Sequence, residues 1–174
     1  MIKVIAFDLV GVLVHEQDVD LTKEQAALER LFDAFDEPVN ELARTFNIDD
    51  VKKATLDIFN KLYKIEDPDL FNKVREAYPN IKIVIASNHV SHMKDYLDEH
   101  FNPDTIYLSS IIGLGKPNPE YFKYILDKEN ISPEEMLFLD DKDLNIINSS
   151  ELGINTIKVS KDTNILEEIK KYMI

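Results

Sequence analysis

The sequence predicts an α/β fold: a parallel sheet flanked by helices, with a small all-helical insertion after the first strand. Three observations carry this reading. Short continuous apolar runs recur along the chain, amphipathic stretches alternate with them, and in one segment, residues 18–65, the alternation stops. Continuous apolar runs are the mark of strands buried on both faces, and strands alternating with helices give a parallel sheet.

The first run is "IKVIAFDL", and it ends at Asp8. The next is "IKIVIAS" (81–87), followed by "TIYLSS" (105–110), "MLFLDD" (136–141) and "INTIKVS" (154–160). Between them lie helical patterns. "PDLFNKVREAY" places Leu70, Val74 and Tyr78 on one face, and "VSHMKDYLDEHF" does the same with Met93, Tyr96, Leu97 and Phe101. "PEYFKYILDKEN" opens on a proline suited to a first helical turn and aligns Phe122, Ile125 and Leu126. "DLNIINSSELG" ends at Gly153, a C-terminal capping residue, and "NILEEIKKYMI" (164–174) closes the chain. Residues 18–65 contain no convincing strand and read as two or three helices. Their stripes are Leu28, Leu31, Phe32 and Phe35, then Leu42, Ala43 and Phe46, then Val51, Thr55, Ile58 and Leu62. The "IDD" before Val51 supplies N-terminal capping chemistry. The expected organisation is an α/β core over 1–17 and 66–174 with the helical segment at 18–65.

Composition narrows the function. A formal net charge of −13 argues against nucleic-acid partners, which select basic patches. The chain has no cysteine, hence no disulfide framework, thiol nucleophile or cysteine metal site. No apolar run approaches the about 20 residues of a membrane span. The N-terminal stretch "MIKVIAFD" has no signal-peptide pattern, so a cytoplasmic protein is expected.

In open parallel sheets, ligands bind at the carboxyl ends of the strands. Asp8 ends the first strand, Ser87 and Asn88 the second, and Asp140 and Asp141 the fourth, while Lys116 lies in the loop "GLGKPNPEYF". Each residue alone has a structural reading as a turn, a cap or a solvated loop lysine. Together, on one rim, they make a site for an anionic substrate held with a hard cation.

These stretches resemble the haloacid dehalogenase-like hydrolase superfamily, whose four motifs are matched in order. "FDLVGVL" is similar to the motif of the aspartate nucleophile, and "IASN" to that of a phosphoryl-binding hydroxyl, Ser87. "GKPNPEYF" resembles the lysine motif, and "LFLDDKDLNIINSSELGINTI" the motif of the acidic pair. The resemblance implies a Rossmann-like core, with residues 18–65 in the place of the family's cap. In the phosphatase branch it implies attack by Asp8 on phosphorus and an aspartyl-phosphate intermediate. It also implies Mg²⁺ held by Asp8, the backbone carbonyl of Val10, Asp141 and Asp140, and a small phosphorylated metabolite held by Ser87, Asn88 and Lys116.

Val10 departs from that pattern. Phosphatases of the family mostly carry a second aspartate there, which protonates the leaving oxygen and later activates water; valine does neither. Such acid–base help contributes about a hundredfold to ten-thousandfold. Three readings follow: a magnesium-dependent phosphatase, a degenerate relative that binds without turnover, and metal-free dehalogenation at carbon. The acidic pair argues against the third. The nearest replacement donor in the sequence is His15, and the resemblance also implies, for Lys52, Lys53, Lys61 and Lys64, the imine-forming role of the phosphonate-cleaving branch; all are more simply read as surface groups. His89 and His92, spaced H-x-x-H, read as solvent-facing rather than as a zinc pair.

Overall fold

A computed structural model describes residues 1–33 and 35–173. Its centre is a five-stranded parallel sheet. The first strand, β1 (Val4–Phe7), is followed by the short β2 (Val14–Glu16) and then by three helices, α1 (Lys23–Glu29), α2 (Asp36–Thr45) and α3 (Val51–Leu62). The chain returns through β3 (Tyr63–Ile65) to α4 (Leu70–Ala77) and β4 (Lys82–Ser87). It continues as α5 (Lys94–Phe101), β5 (Thr105–Leu108), α6 (Ser109–Ile112), α7 (Pro119–Glu129), β6 (Met136–Asp140), α8 (Asp143–Glu151), β7 (Asn155–Lys158) and α9 (Ile165–Lys170).

The strand order is β5-β4-β1-β6-β7. The chain winds outward from β1 to β4 and β5, then crosses back to β6 on the other side of β1. The winding direction therefore reverses between β1 and β6, which is where an open sheet forms its ligand crevice. All residues of β1 and β6 are buried, as their unbroken apolar sequences require. Side-chain alternation splits the core in two. Ile5, Phe7, Ile83, Ile85, Leu137 and Leu139 face α4, α5 and α9. Ala6, Val84, Ala86 and Phe138 face Tyr121, Phe122 and Ile125 of α7. The first of these clusters runs without a break into Leu28, Phe32, Val39, Ile58 and Phe59, so the inserted helices share the core's apolar interior.

Several local expectations hold. Asp50 caps α3 by accepting from the Lys53 N–H at 2.9 Å. Gly153, at φ +90°, ends α8 as the left-handed residue that a Schellman-type close requires, with the Ile154 N–H reaching the Ser149 carbonyl. Others are corrected. Residues 18–65 do contain a strand, since β3 pairs antiparallel with β2, Val14 opposite Ile65 and Glu16 opposite Tyr63. Three residues are too few to show a periodicity. Helix α1 ends at Glu29, so Leu31 and Phe32 lie in the turn beyond it, and Phe35 stands 46% exposed rather than in the apolar stripe. Ser109 and Ser110 begin α6 instead of ending β5.

Candidate active site

The predicted rim residues converge at the carboxyl end of the sheet. Asp8 leaves β1 with its N–H on the Leu139 carbonyl of β6 (2.9 Å). Its carboxylate accepts from the Leu9 N–H (2.7 Å) and from Lys116 Nζ (2.8 Å). The Lys116 Nζ donates also to Asp140 Oδ2 at 2.6 Å. One buried ammonium therefore bridges two buried carboxylates, with side-chain exposures of 2%, 8% and 0% for Lys116, Asp8 and Asp140. Burial dominates at Asp8 and, with the Asp140 charge, pushes its carboxyl up to about 6 against the opposing pull of Lys116.

The two acidic neighbours are differently placed. Asp140 is saturated: it accepts from Lys116, from the Lys142 N–H (2.7 Å) and from Asn145 Nδ2 (2.9 and 3.0 Å). Asp141 Oδ1 is buried with no hydrogen-bond partner among the described residues. Burial and the Asp140 charge raise its carboxyl above the usual range. Asp8, Asp140 and Asp141 each offer an oxygen within 4.8 Å of the others. The loop after β1 lies directly against Asp141. Gly11 sits at φ +83°, and a Cβ there would fall 2.5 Å from Asp141 Cγ, so both backbone conformation and space demand glycine.

Asn88 has a definite task. Its Oδ1 accepts from the Lys116 N–H (2.8 Å) and its Nδ2 donates to the Lys116 carbonyl (2.7 Å). The side chain thus clamps the main chain of Lys116 rather than standing free for a ligand. Ser87, at the end of β4, is 3% exposed. Ser87, Asp8, Val10, Asn88 and Lys116 line one cavity of about 390 Å³. Its other wall comes from the insertion: Glu29, Arg30, Phe32, Asp33 and Tyr63. Nothing in the sequence marks these five, because they join the site only through the packing of α1 and β3 over the sheet.

His89 is not solvent-facing. It lies before α5, is 3% exposed, and packs against the rings of Phe32 and Phe59 with centroids 5.5 and 5.8 Å away. Burial holds its imidazole neutral, down to about 3 from 6.5. The native state thus resists a proton that the unfolded chain accepts. The stability this group contributes is whole above pH 6.5 and is lost as pH falls from there toward 3. By pH 5 the loss is about 2 kcal/mol. Urea melts at pH 7 and pH 5 should show a loss smaller by that amount in His89→Phe; an equal loss in both proteins would contradict it. His15 lies in β2 opposite Lys64 and lines none of the active cavity. Lys52, Lys53 and Lys61 are engaged by Asp95, Asp57 and the Asp20 carbonyl at the surface.

A model of haloacid dehalogenase-like hydrolases matches residues 2–146, from β1 through the acidic pair into α8. The chain belongs to that family. Among curated relatives it is 33% identical over 82 residues to bifunctional epoxide hydrolase 2 of Rattus norvegicus, covering 47% of this chain but only 14% of that much longer protein. It is 26% identical over 206 residues to D-ribitol-5-phosphate phosphatase of Bacteroides thetaiotaomicron, with 97% of each chain covered. Among solved structures, a HAD family enzyme of Bacteroides thetaiotaomicron in complex with magnesium and inorganic phosphate superposes with a TM-score of 0.72. That match has 20% identity and covers 95% of this chain and 99% of that one. The HAD-like hydrolase fold of the present chain contains no described helix long and apolar enough to cross a membrane.

Proposed function

We propose that this protein is a magnesium-dependent phosphatase that acts on a small phosphorylated metabolite through an aspartyl-phosphate on Asp8. The observation that carries this reading is the juxtaposition of a lysine-paired Asp8 with the unpartnered, buried Asp141 oxygen across Gly11. The match over nearly full length to a sugar-alcohol phosphate phosphatase, and the structural neighbour with magnesium and phosphate, support it.

The residues fit a magnesium ion. Asp141 has an oxygen in need of a partner, Asp8 faces it, and carboxylate and carbonyl oxygens are the ligands this ion prefers. Asp8, Asp141 and the Val10 carbonyl would hold it, with Asp140 behind them fixing Lys116. When bound, the ion neutralises phosphoryl charge and aligns the ester with the nucleophile.

The chain's own groups do the rest. Asp8 attacks phosphorus, and the leaving alkoxide departs as the new P–O bond forms. Lys116, held between Asp8 and Asp140 and clamped by Asn88, places a fixed positive charge beside the phosphoryl oxygens. Ser87 donates its hydroxyl to one of them. Residues 18–65 act as a cap that closes the far wall and selects the leaving group. A cytoplasmic setting belongs to the same proposal, as does the absence of a nucleic-acid partner, which the net charge of −13 supports.

A second reading has one observation in its favour: Val10 lines the cavity where an acid–base carboxylate is wanted. On that reading the protein binds a phosphorylated ligand without turnover. A metabolite-phosphate panel assayed with and without magnesium separates the two, metal-dependent release of phosphate favouring catalysis. Magnesium should also raise the melting temperature, since a ligand of the native state at a hundredfold excess over its Kd adds about 2.7 kcal/mol. The shift should vanish in Asp141→Ala. A melting temperature indifferent to magnesium in both proteins would count against a preformed site.

A further inference from the structure

The gap left by Val10 lies in a cavity whose opposite wall carries a carboxylic acid. Glu29 is the last residue of α1 and Tyr63 the first of β3, 34 positions apart in sequence. Both are half-buried and both line the cavity that holds Asp8 and Val10. The Tyr63 hydroxyl donates to Glu29 Oε1 at 3.0 Å, and the Tyr63 ring packs on Phe59 at 4.9 Å between centroids. One oxygen of Glu29 is thereby fixed to a braced phenol, and the other makes no hydrogen bond among the described residues. We propose that Glu29, positioned by Tyr63, is the general acid–base group of this site and replaces the carboxyl absent at Val10. The inference rests on the phosphatase reading above.

The competing groups in the cavity are poorer candidates. Arg30 offers hydrogen-bond donors only and has no carboxyl or imidazole to relay a proton. His89 is a buried neutral ring whose Nδ1 already accepts from the Val90 N–H at 2.9 Å. Asp33 is exposed in the turn after α1, with no hydrogen bond to hold it among the described residues. Burial keeps the Tyr63 phenol protonated, so it serves as a donor to Glu29 and not as an acid. Among the described residues that the insertion gives to this wall, Glu29 alone combines a carboxyl with a fixed orientation.

The step balances as follows. Protonated Glu29 gives its proton to the ester oxygen while the P–O bond to the leaving group breaks and the bond from Asp8 to phosphorus forms. The resulting Glu29 carboxylate then takes a proton from water. The water oxygen bonds to phosphorus, the Asp8–phosphorus bond breaks, and phosphate, free Asp8 and protonated Glu29 are regenerated.

The test compares an alkyl phosphate with p-nitrophenyl phosphate at saturating magnesium. The alkyl oxygen needs a proton to leave, whereas p-nitrophenolate leaves as a stable anion. In single-turnover measurements Glu29→Gln should slow cleavage of the alkyl ester about 100-fold or more and leave the first release of p-nitrophenolate nearly unchanged, while breakdown of the aspartyl-phosphate, which needs the base whichever ester formed it, slows with both. Tyr63→Phe should show the same selective loss at about fivefold, the worth of one hydrogen bond. Val10→Asp introduced into the Glu29→Gln protein should restore part of the alkyl-ester rate. An equal slowing of the cleavage step with both esters in a folded Glu29→Gln protein would overturn the proposal by making the residue structural. So would a selective loss seen in Asp33→Asn instead. If wild type turns over neither ester, the phosphatase reading itself fails and this one goes with it.

Discussion

Asp8→Asn is expected to reduce phosphatase turnover at least about ten-thousandfold, because the amide is nearly isosteric with the carboxylate but is no nucleophile. The same substitution should leave the magnesium-free protein no less stable than wild type at pH 7. Lys116 is a single cation shared by two buried carboxylates, so the site carries an uncompensated negative charge. Neutralising Asp8 leaves one balanced Lys116–Asp140 pair. The direction of the Asp8 shift gives the pH dependence. Its native value of about 6 lies above the ordinary 3.8, so ionisation opposes folding. Wild type loses the corresponding stability as pH rises from 3.8 through 6. The advantage of the asparagine variant should therefore be present at pH 7 and gone by pH 3.8. Rates with magnesium and thermal melts in a chelator measure the two halves. A fully active variant would remove Asp8 from the mechanism. A large drop in its melting temperature would show that the Asp8–Lys116 pair stabilises more than its burial costs.

Val10→Asp is expected to raise phosphomonoester hydrolysis most in the Glu29→Gln protein, where no other acid–base group remains, with a ceiling of about 100-fold or more set by general acid–base catalysis. The side chain already lines the cavity beside Asp8, and the left-handed turn at Gly11 fixes the main chain that carries it. The realised gain should be smaller, since a pocket shaped around valine will not orient a carboxyl well and a misplacement of about 1 Å itself costs about 100-fold. The new group joins Asp8, Asp140 and Asp141, so its benefit should appear only with magnesium at saturation. Alkyl esters should gain more than p-nitrophenyl phosphate. If the folded double variant hydrolyses neither faster than Glu29→Gln does, a carboxyl at this position does not reach the leaving oxygen.

The core half of this site could be read from the sequence because its chemistry is local. Each of Asp8, Ser87 and Asp140 follows directly on a run of buried apolar residues, and a parallel sheet brings the ends of such runs to one edge whatever the details of packing. Gly153 was legible for a similar reason, as the residue that tolerates the left-handed conformation its turn uses. Tertiary structure alone decided which acid is saturated and which is left open, because Asp140 and Asp141 are adjacent and alike until Lys116, Lys142 and Asn145 converge on only one of them. It also turned Asn88 from a rim amide into the clamp of Lys116, 28 residues away. The wall of Glu29, Arg30 and Tyr63 had no sequence signature at all. A three-residue ribbon and the apolar contacts of Phe32 and Phe59 place it, and long-range packing of that kind leaves no period and no spacing along the chain.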